Sequence, residues 1–147
     1  MLDKEFKILL VEDNPGDAEL TIRSLKKNNL GKGLVHLENG EEAIEYIFAQ
    51  GAFAERKIAD APNVILMDIN MPKVSGLEVL RKLKSDERTK IIPVIMLTAS
   101  KDEPDIKECY SLGVNSYLVK PVQYEEFVRV VKELGLYWQL LKQLPSK

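Results

Sequence analysis

Residues 64–68 read Val-Ile-Leu-Met-Asp, an unbroken apolar run that ends in a carboxylate. A short apolar run without alternation is typical of a strand buried on both faces, as in a parallel sheet covered by helices. Asp68 is the polar end of that strand, and a charge in such a place requires a partner. The stretch therefore predicts a central strand with a polar site at its carboxyl end.

Three other apolar runs along the chain also end in polar residues. They are residues 6–11 before Glu12 and Asp13, residues 94–97 before Thr98, and residues 117–119 before Lys120. Because the carboxyl ends of parallel strands lie on one edge of an open sheet, where such folds bind ligands, we expect these side chains to meet Asp68 there. A cation would relieve the repulsion between the acids, and a lysine and a hydroxyl suit phosphoryl oxygens.

Size and composition limit the classes of protein that the chain can belong to. Its 147 residues are 45% hydrophobic and 30% charged with a net charge of −2, as in one globular domain. The absence of basic runs argues against a nucleic-acid or anionic-membrane partner. A single cysteine, Cys109, and the lack of a long apolar run or leader predict a cytoplasmic protein.

Helical patterns alternate with the strands, which indicates repeated strand-helix-strand units. We predict helices after Asn14, Asn39 and Ser75, a fourth over about 104–112 and a last one over about 124–144, with a second strand at 34–37. The connection over about 51–62 is longer than usual and could hold an extra turn or a partner surface. The result is a doubly wound α/β domain of five parallel strands and five helices covering residues 1–147, with no output domain.

The acids favour a hard cation, because the oxygen donors Glu12, Asp13 and Asp68 have no histidine or cysteine nearby in the pattern. We expect Mg²⁺ before Ca²⁺. Glu12 and Asp13 alone are explained equally well as charges at a helix N-terminus. Asp68 could also act as a nucleophile toward a phosphoryl group. His36 is expected to be structural, and Cys109 to be packed and inert.

The ordered set of motifs resembles the receiver domain of response regulators over nearly the whole chain. The matching segments are ILLVED at 8–13, LMDINMP at 66–72 with Gly76, LTA at 97–99 and YLVKP at 117–121. The resemblance implies the strand order 2-1-3-4-5 and phosphorylation by a sensor histidine kinase. The domain would catalyse only its own phosphorylation and dephosphorylation.

The same resemblance implies a role for each site residue. Asp68 would be the phosphoacceptor, Thr98 and Tyr117 the switch residues, and Lys120 the phosphate-binding lysine with a cis bond to Pro121. Mg²⁺ would be bound by Glu12, Asp13, Asp68 and the backbone carbonyl of Asn70.

Two other classes use a similar sheet. A haloacid-dehalogenase-like phosphatase also has an aspartyl nucleophile, but it needs a second acid where this chain has Asn70, which cannot donate a proton as an acid. A flavodoxin-like electron carrier needs a loop rich in hydroxyl groups and glycine after the first strand, where this chain has Glu12 and Asp13.

The C-terminal segment carries more apolar residues than one helix face can bury. On a helical wheel the core stripe is Phe127, Val131, Leu134, Trp138 and Leu141. A second apolar side is formed by Leu136, Tyr137, Leu140 and Leu144. The tail and the long connection are similar to single-domain regulators of phytochrome-type histidine kinases. We expect a homodimer through the side from strand 4 to helix 5; a kinase-docking tail and a tail folded over its own domain are alternatives.

Overall fold

A computed structural model of the protein describes residues 6–100 and 103–136. The elements are β1 (Ile8–Val11), α1 (Pro15–Lys27), β2 (Leu34–Leu37), α2 (Gly40–Ile47), β3 (Val64–Asp68), α3 (Gly76–Lys84), β4 (Val94–Thr98), α4 (Asp105–Ser111), β5 (Ser116–Val119) and α5 (Tyr124–Glu133). All strand pairs are parallel, in the order β2-β1-β3-β4-β5. The predicted doubly wound sheet is confirmed.

The central strands are buried on both faces, as their unbroken apolar runs predict. Side chains alternate along β1, so that Leu9 and Val11 enter one core layer and Ile8 and Leu10 the other. The first layer is closed by α2, α3 and α4, and the second by α1 and α5. Because helices cover both faces, the free ends of the strands are the places left for polar chemistry.

Side-chain caps fix where the helices begin. Asn14 Oδ1 accepts the backbone N–H of Asp17 at 2.9 Å, and Asn39 Oδ1 accepts that of Glu42 at 2.8 Å. Ser75 and Glu78 form a reciprocal capping box at the start of α3. Each such cap stabilises its helix by about 1 kcal/mol. The three helices that follow β1, β2 and β3 therefore start at defined positions beside the strand ends.

The long connection before β3 is held in place by an arginine. It begins with a 3-10 turn, Gly51–Phe53, so the predicted extra turn is confirmed. The guanidinium of Arg56 lies 3.8 Å from the centre of the Tyr46 ring and donates to the backbone carbonyls of Tyr46 and Asp60. Asp60 in turn forms an ion pair with Lys7 just before β1. These contacts tie the connection to α2 and to the amino edge of the sheet; its use as a partner surface stays a prediction.

The last helix is shorter than predicted. It ends at Glu133, and Gly135 has a φ of +77° in the left-handed region. The N–H groups of Gly135 and Leu136 bond to the carbonyls of Lys132 and Val131, both at 3.0 Å, which is the Schellman motif of a helix end. A continuous helix over about 124–144 is therefore wrong at residues 134–136, because apolar periodicity does not register a terminating glycine.

The helix end also changes the position of one tail residue. Leu136 packs with Leu134 against the core layer under α1 and α5, so its assignment to a second apolar side is wrong. Phe127 and Val131 are buried as predicted. The other residues of the predicted tail, Tyr137, Trp138, Leu140, Leu141 and Leu144, lie outside the described residues.

Within residues 6–100 and 103–136, no helix has the length and apolar character needed to cross a membrane.

Candidate functional site

The predicted site residues lie at one edge of the sheet, each at a strand end. Glu12 and Asp13 follow β1, Asp68 and Thr98 are the last residues of β3 and β4, and Lys120 follows β5. Glu12, Asp68 and Thr98 are buried, whereas Asp13 is exposed. One oxygen from each of Glu12, Asp13 and Asp68 lies within 4.8 Å of the others. The structure therefore brings together the acids that the sequence predicted.

Lys120 reaches across the edge of the sheet into this group of acids. Its Nζ lies 3.2 Å from Glu12 Oε1 and 3.3 Å from Asp68 Oδ2. Only 13% of the lysine side chain is exposed, so water screens these charges weakly. A cation is thus held directly beside the carboxylate that ends the central strand.

Asp17 is a site residue that the sequence reasoning missed. Its Oδ2 lies 3.1 Å from Lys120 Nζ, the shortest of the three ion pairs made by that lysine. Asp17 lies in the first turn of α1, where an acid is expected for the helix dipole alone. Because Asp13 lies before the helix, the sequence offers no periodicity that would separate Asp17 from an ordinary first-turn acid.

The electrostatics of the pocket raise the pKa of both Glu12 and Lys120, and each shift makes the pocket less negative. Burial, together with the hydrogen bond and the negative charge of Asp68, raises the pKa of Glu12 to about 7. Burial alone would lower the pKa of Lys120, but the hydrogen bond to Asp17 and the charges of Asp68 and Glu12 outweigh it and raise that pKa. The pocket holds more negative charge than one lysine neutralises.

The donor set fits a divalent cation. Three carboxylate oxygens within 4.8 Å repel each other, and burial followed by the contact with Asp68 raises the pKa of Glu12. A hard cation such as Mg²⁺ relieves it while leaving positions for waters and phosphate oxygens. Glu12, Asp13 and Asp68 are the side chains that could hold such an ion.

The loop after Asp68 is packed closely against the start of α3. The N–H of Asn70 donates to Asp68 Oδ1 at 3.2 Å, and that of Gly76 donates to the Ile69 carbonyl at 2.8 Å. A Cβ at Gly76 would lie 2.3 Å from the Asp68 carbonyl oxygen, closer than atoms can approach. Glycine is therefore required at this position for α3 to support the loop that carries Asp68.

Thr98 ends β4 at the edge that carries the site, Tyr117 lies within β5, and the side chains of both make contacts with other residues. The Thr98 hydroxyl donates to the Ser100 carbonyl at 2.9 Å. The ring of Tyr117, on the edge strand β5, meets that of Tyr110 edge-on at 6.5 Å. Both residues are thus placed on the β4–β5 side, and their switch roles stay predictions.

Three further expectations concern residues around the site. The peptide bond between Lys120 and Pro121 is cis, as expected. His36 Nε2 donates to the Glu12 carbonyl at 2.9 Å, which supports a structural role. Cys109 is buried, and burial together with the charges of Asp105 and Glu108 raises the pKa of its thiol to about 11, as fits a packed and unreactive cysteine.

Comparisons with known proteins agree with this arrangement. Residues 8–132 match the response regulator receiver domain. The chain is 38% identical over 133 residues to the probable methanogenesis regulatory protein FilR2 of Methanothrix harundinacea, covering 90% of this chain and 83% of that protein. It is 35% identical over 139 residues to the response regulator Rcp1 of Synechocystis, covering 95% of this chain and 92% of that one.

Solved structures give the same result. The bacteriophytochrome response regulator RtBRR superimposes with a TM-score of 0.84 at 41% identity, covering 97% of this chain and 85% of that one. The Mn²⁺-bound form of Rcp1 superimposes with a TM-score of 0.71 at 35% identity, covering 95% and 98%. The match decides against the phosphatase and the electron carrier. Since it extends from β1 through almost all of α5, this chain belongs to the response regulator receiver domains, signalling switches that are generally phosphorylated on an aspartate.

Proposed function

We propose that this receiver domain accepts a phosphoryl group on Asp68 from the phosphohistidine of a sensor histidine kinase. The observation that carries the proposal is the position of Asp68 at the end of the central strand, with Lys120 Nζ 3.3 Å from its Oδ2. An Asp68 oxygen attacks phosphorus, the new P–O bond forms as the P–N bond breaks, and the electron pair remains on the kinase imidazole. Lys120 offsets negative charge on the transferred group, so the domain assists its own phosphorylation.

The reaction in this proposal depends on Mg²⁺. Glu12, Asp13, Asp68 and the backbone carbonyl of Asn70 would hold the ion, and support comes from the carboxylate group and from the Mn²⁺-bound form of Rcp1. Bound there, the cation would supply positive charge to the acids and to the phosphoryl oxygens. Lys120 and the N–H of Asn70 orient the Asp68 carboxylate, whose burial limits access of water to it.

The proposed signal is a rearrangement on the β4–β5 side. The Thr98 hydroxyl now donates to the Ser100 carbonyl. A phosphoryl oxygen is a stronger acceptor than that carbonyl, because the phosphoryl oxygen is charged. Rotation of the Thr98 hydroxyl toward Asp68 would free space beside β5, where Tyr117 packs against Tyr110 of α4. A ligand shifts an equilibrium between two conformations only by its differential contacts with them. In this proposal the differing contacts are those of the Thr98 hydroxyl and of the Tyr117 ring.

The partners belong to the same proposal. The similarity to RtBRR and Rcp1 favours a phytochrome-linked kinase, and a kinase that uses ATP places the encounter in the cytoplasm.

A homodimer through the side from strand 4 to helix 5 is supported by the exposure of Tyr110 (48%) and Val119 (42%) there. Sedimentation at micromolar protein should show a dimer that weakens in Val119→Ser; a strict monomer in both proteins would refute this part.

Acetyl phosphate provides a direct test of the acceptor. With Mg²⁺, the wild-type protein should gain one acid-stable, base-labile phosphoryl group, visible as a single mass increment. Asp68→Asn should gain none. Asp13→Asn, which removes an equal charge from the same pocket, should still be labelled but more slowly at low Mg²⁺. Full labelling of Asp68→Asn on a carboxylate would overturn the assignment.

A further inference from the structure

Each of the three N–H donors of the Lys120 ammonium has a carboxylate within reach, so none is available for a new ligand. A lysine has three N–H donors and no acceptor, and here three carboxylates lie within reach, at 3.1 Å for Asp17, 3.2 Å for Glu12 and 3.3 Å for Asp68. For Lys120 to bind a phosphoryl oxygen, it has to release one of these partners. The strength of the ion pair that is broken affects how readily Lys120 binds the phosphoryl group.

The three carboxylates differ in what their release costs. The side chain of Glu12 is fully buried and that of Asp68 is 10% exposed, and both belong to the group of acids that would hold Mg²⁺. Asp68 would also carry the phosphoryl group and would then no longer be a free carboxylate. The side chain of Asp17 is 39% exposed, and water can replace the ammonium there. Asp17 has neither role, so it is the carboxylate that still competes for the ammonium when a phosphoryl group is bound, and the one that Lys120 can leave to water.

Asp17 is also held in place independently of the lysine. Its backbone N–H donates to Asn14 Oδ1 at the cap of α1, and the helix continues for three turns behind it. It lies outside the group of Glu12, Asp13 and Asp68 whose oxygens lie within 4.8 Å of one another. Its backbone is thus fixed, which keeps its carboxylate at the rim of the pocket within reach of the lysine.

We propose that Asp17 is a positioning residue that competes with the phosphoryl group for the ammonium of Lys120. It holds the lysine at the rim in the unphosphorylated state and releases it when the phosphoryl group arrives. This inference rests on the proposed phosphorylation of Asp68, and it adds a residue that sets how readily the phosphorylated state forms.

Fluoroberyllate, a stable phosphoryl analogue, tests the competition without turnover. At saturating Mg²⁺, Asp17→Asn should bind fluoroberyllate about two- to fivefold more tightly than wild type, because the competitor and one repulsive charge are both removed. The same substitution should weaken binding of Mg²⁺ alone, since the pocket loses negative charge. A residue that served only the fold would not move these two affinities in opposite directions.

Two further variants separate contact from charge. Glu19→Gln removes an equal charge from the same helix, but the Glu19 carboxylate pairs with Arg23, so both affinities should stay near wild type. Asp17→Glu keeps the charge and should restore wild-type behaviour. In metal-free protein, NMR should show the Lys120 ammonium protons exchanging with water faster in Asp17→Asn than in Asp17→Glu.

The outcomes distinguish this inference from the function on which it rests. If wild type binds no fluoroberyllate, phosphorylation of Asp68 is refuted and the competition with it. If wild type binds it and Asp17→Asn binds it equally or more weakly than Glu19→Gln, only the role of Asp17 is overturned. Unchanged exchange of the Lys120 ammonium in Asp17→Asn would also overturn it.

Discussion

Two half-buried lysines at opposite edges of the sheet have the same number of oxygen partners, but their pKa values shift in opposite directions. At the amino edge, Lys84 Nζ donates to the carbonyls of Lys90 and Ile92, both at 3.0 Å, and to Asn115 Oδ1 at 3.4 Å. These acceptors are neutral, and burial lowers the pKa of Lys84. At the carboxyl edge the acceptors of Lys120 are carboxylates, which raise its pKa against the effect of burial. The charge of the partners, more than burial, separates the two.

Other polar side chains at the two edges also differ in their hydrogen-bond partners. At the amino edge polar side chains bond to the backbone: Asn63 accepts the N–H of Lys7 at 2.7 Å, and Asn115 accepts that of Val94 at 2.9 Å. Such bonds close loops and leave no charge in need of a ligand. At the carboxyl edge Lys120 bonds to the carboxylates of Glu12, Asp17 and Asp68, so a new anion or cation can exchange with these charged partners. The same fold therefore uses one edge for stability and keeps the other for chemistry.

Exchange of each lysine for methionine tests the difference between the two edges most directly. Lys120→Met should weaken fluoroberyllate binding by about 10- to 100-fold, because a charge-assisted hydrogen bond is lost. Lys84→Met should leave that affinity within about twofold and lower the free energy of unfolding by about 1 kcal/mol, since backbone carbonyls lose their donor. Titration calorimetry and urea unfolding measure the two effects. Equal losses of affinity in both variants would show that the edges are not functionally distinct.

The raised pKa of Glu12 makes the stability of the protein depend on pH. Its folded pKa of about 7 lies above the ordinary value of 4.5, so the folded state binds the extra proton between these values. In metal-free buffer this group therefore makes the protein less stable as pH rises from 4.5 to about 7, by on the order of 2–3 kcal/mol. Glu12→Gln should remove that loss.

Urea unfolding at pH 5 and pH 8 checks this sign. The stability of Glu12→Gln relative to wild type should increase at pH 8, and Mg²⁺ should reduce the difference because an ion that binds the folded carboxylate stabilises wild type. A relative stability that does not change with pH would contradict the shifted titration of Glu12.

Arg56 tests whether the amino edge is only structural. Arg56→Ala should lower the free energy of unfolding by about 1 kcal/mol and speed amide exchange over residues 51–62, because the stacking on Tyr46 and the bonds to two carbonyls are lost. Arg56→Lys keeps the charge without the planar group and should recover little. Lys57→Ala, at the next residue, is the control. Slower phosphorylation in Arg56→Ala would mean that the edges communicate.

The fold followed from the sequence because one pattern determined it. Apolar runs that end in polar residues located four of the five strands and the shared edge, and the second strand came from its own short run at 34–37. Glu12, Asp13, Asp68 and Lys120 could be grouped from the sequence alone, since strand ends in a parallel sheet meet by geometry. Assignment of Mg²⁺ and of phosphoryl transfer needed the resemblance to a family in addition.

What the sequence did not predict depends on local backbone or side-chain geometry. Asp17 lies within a helix, where its charge has a sufficient local explanation, and only the reach of Lys120 across the sheet identifies it. The end of α5 depends on the left-handed conformation of Gly135, which the periodicity of its apolar neighbours conceals. The hydroxyl of Thr98 could have pointed to Asp68 or to its own loop, and the choice of Ser100 is a rotamer that no pattern encodes.

The smallest expected effect concerns two buried threonines away from the charged pocket. Thr21, on the inner face of α1, has the one buried side-chain polar atom without a hydrogen-bond partner in residues 6–100 and 103–136. The Thr89 hydroxyl, at the amino edge, is equally buried but donates to the Leu83 carbonyl at 2.8 Å. Thr21→Val should raise the free energy of unfolding by about 0.5–1 kcal/mol, because a methyl group replaces an unsatisfied hydroxyl of the same shape.

Thr89→Val is the matched control, and it should lower the free energy of unfolding by about 1 kcal/mol since the Leu83 carbonyl loses its donor. Urea unfolding of both variants at one pH gives the two signs directly. An equal loss in Thr21→Val would mean that its hydroxyl finds an acceptor, and back-bonding within a helix would make the carbonyl of Asp17, one turn earlier, a candidate. Such a bond would connect the inner face of α1 to the residue that we place beside Lys120, and Thr21→Val should then also change fluoroberyllate affinity.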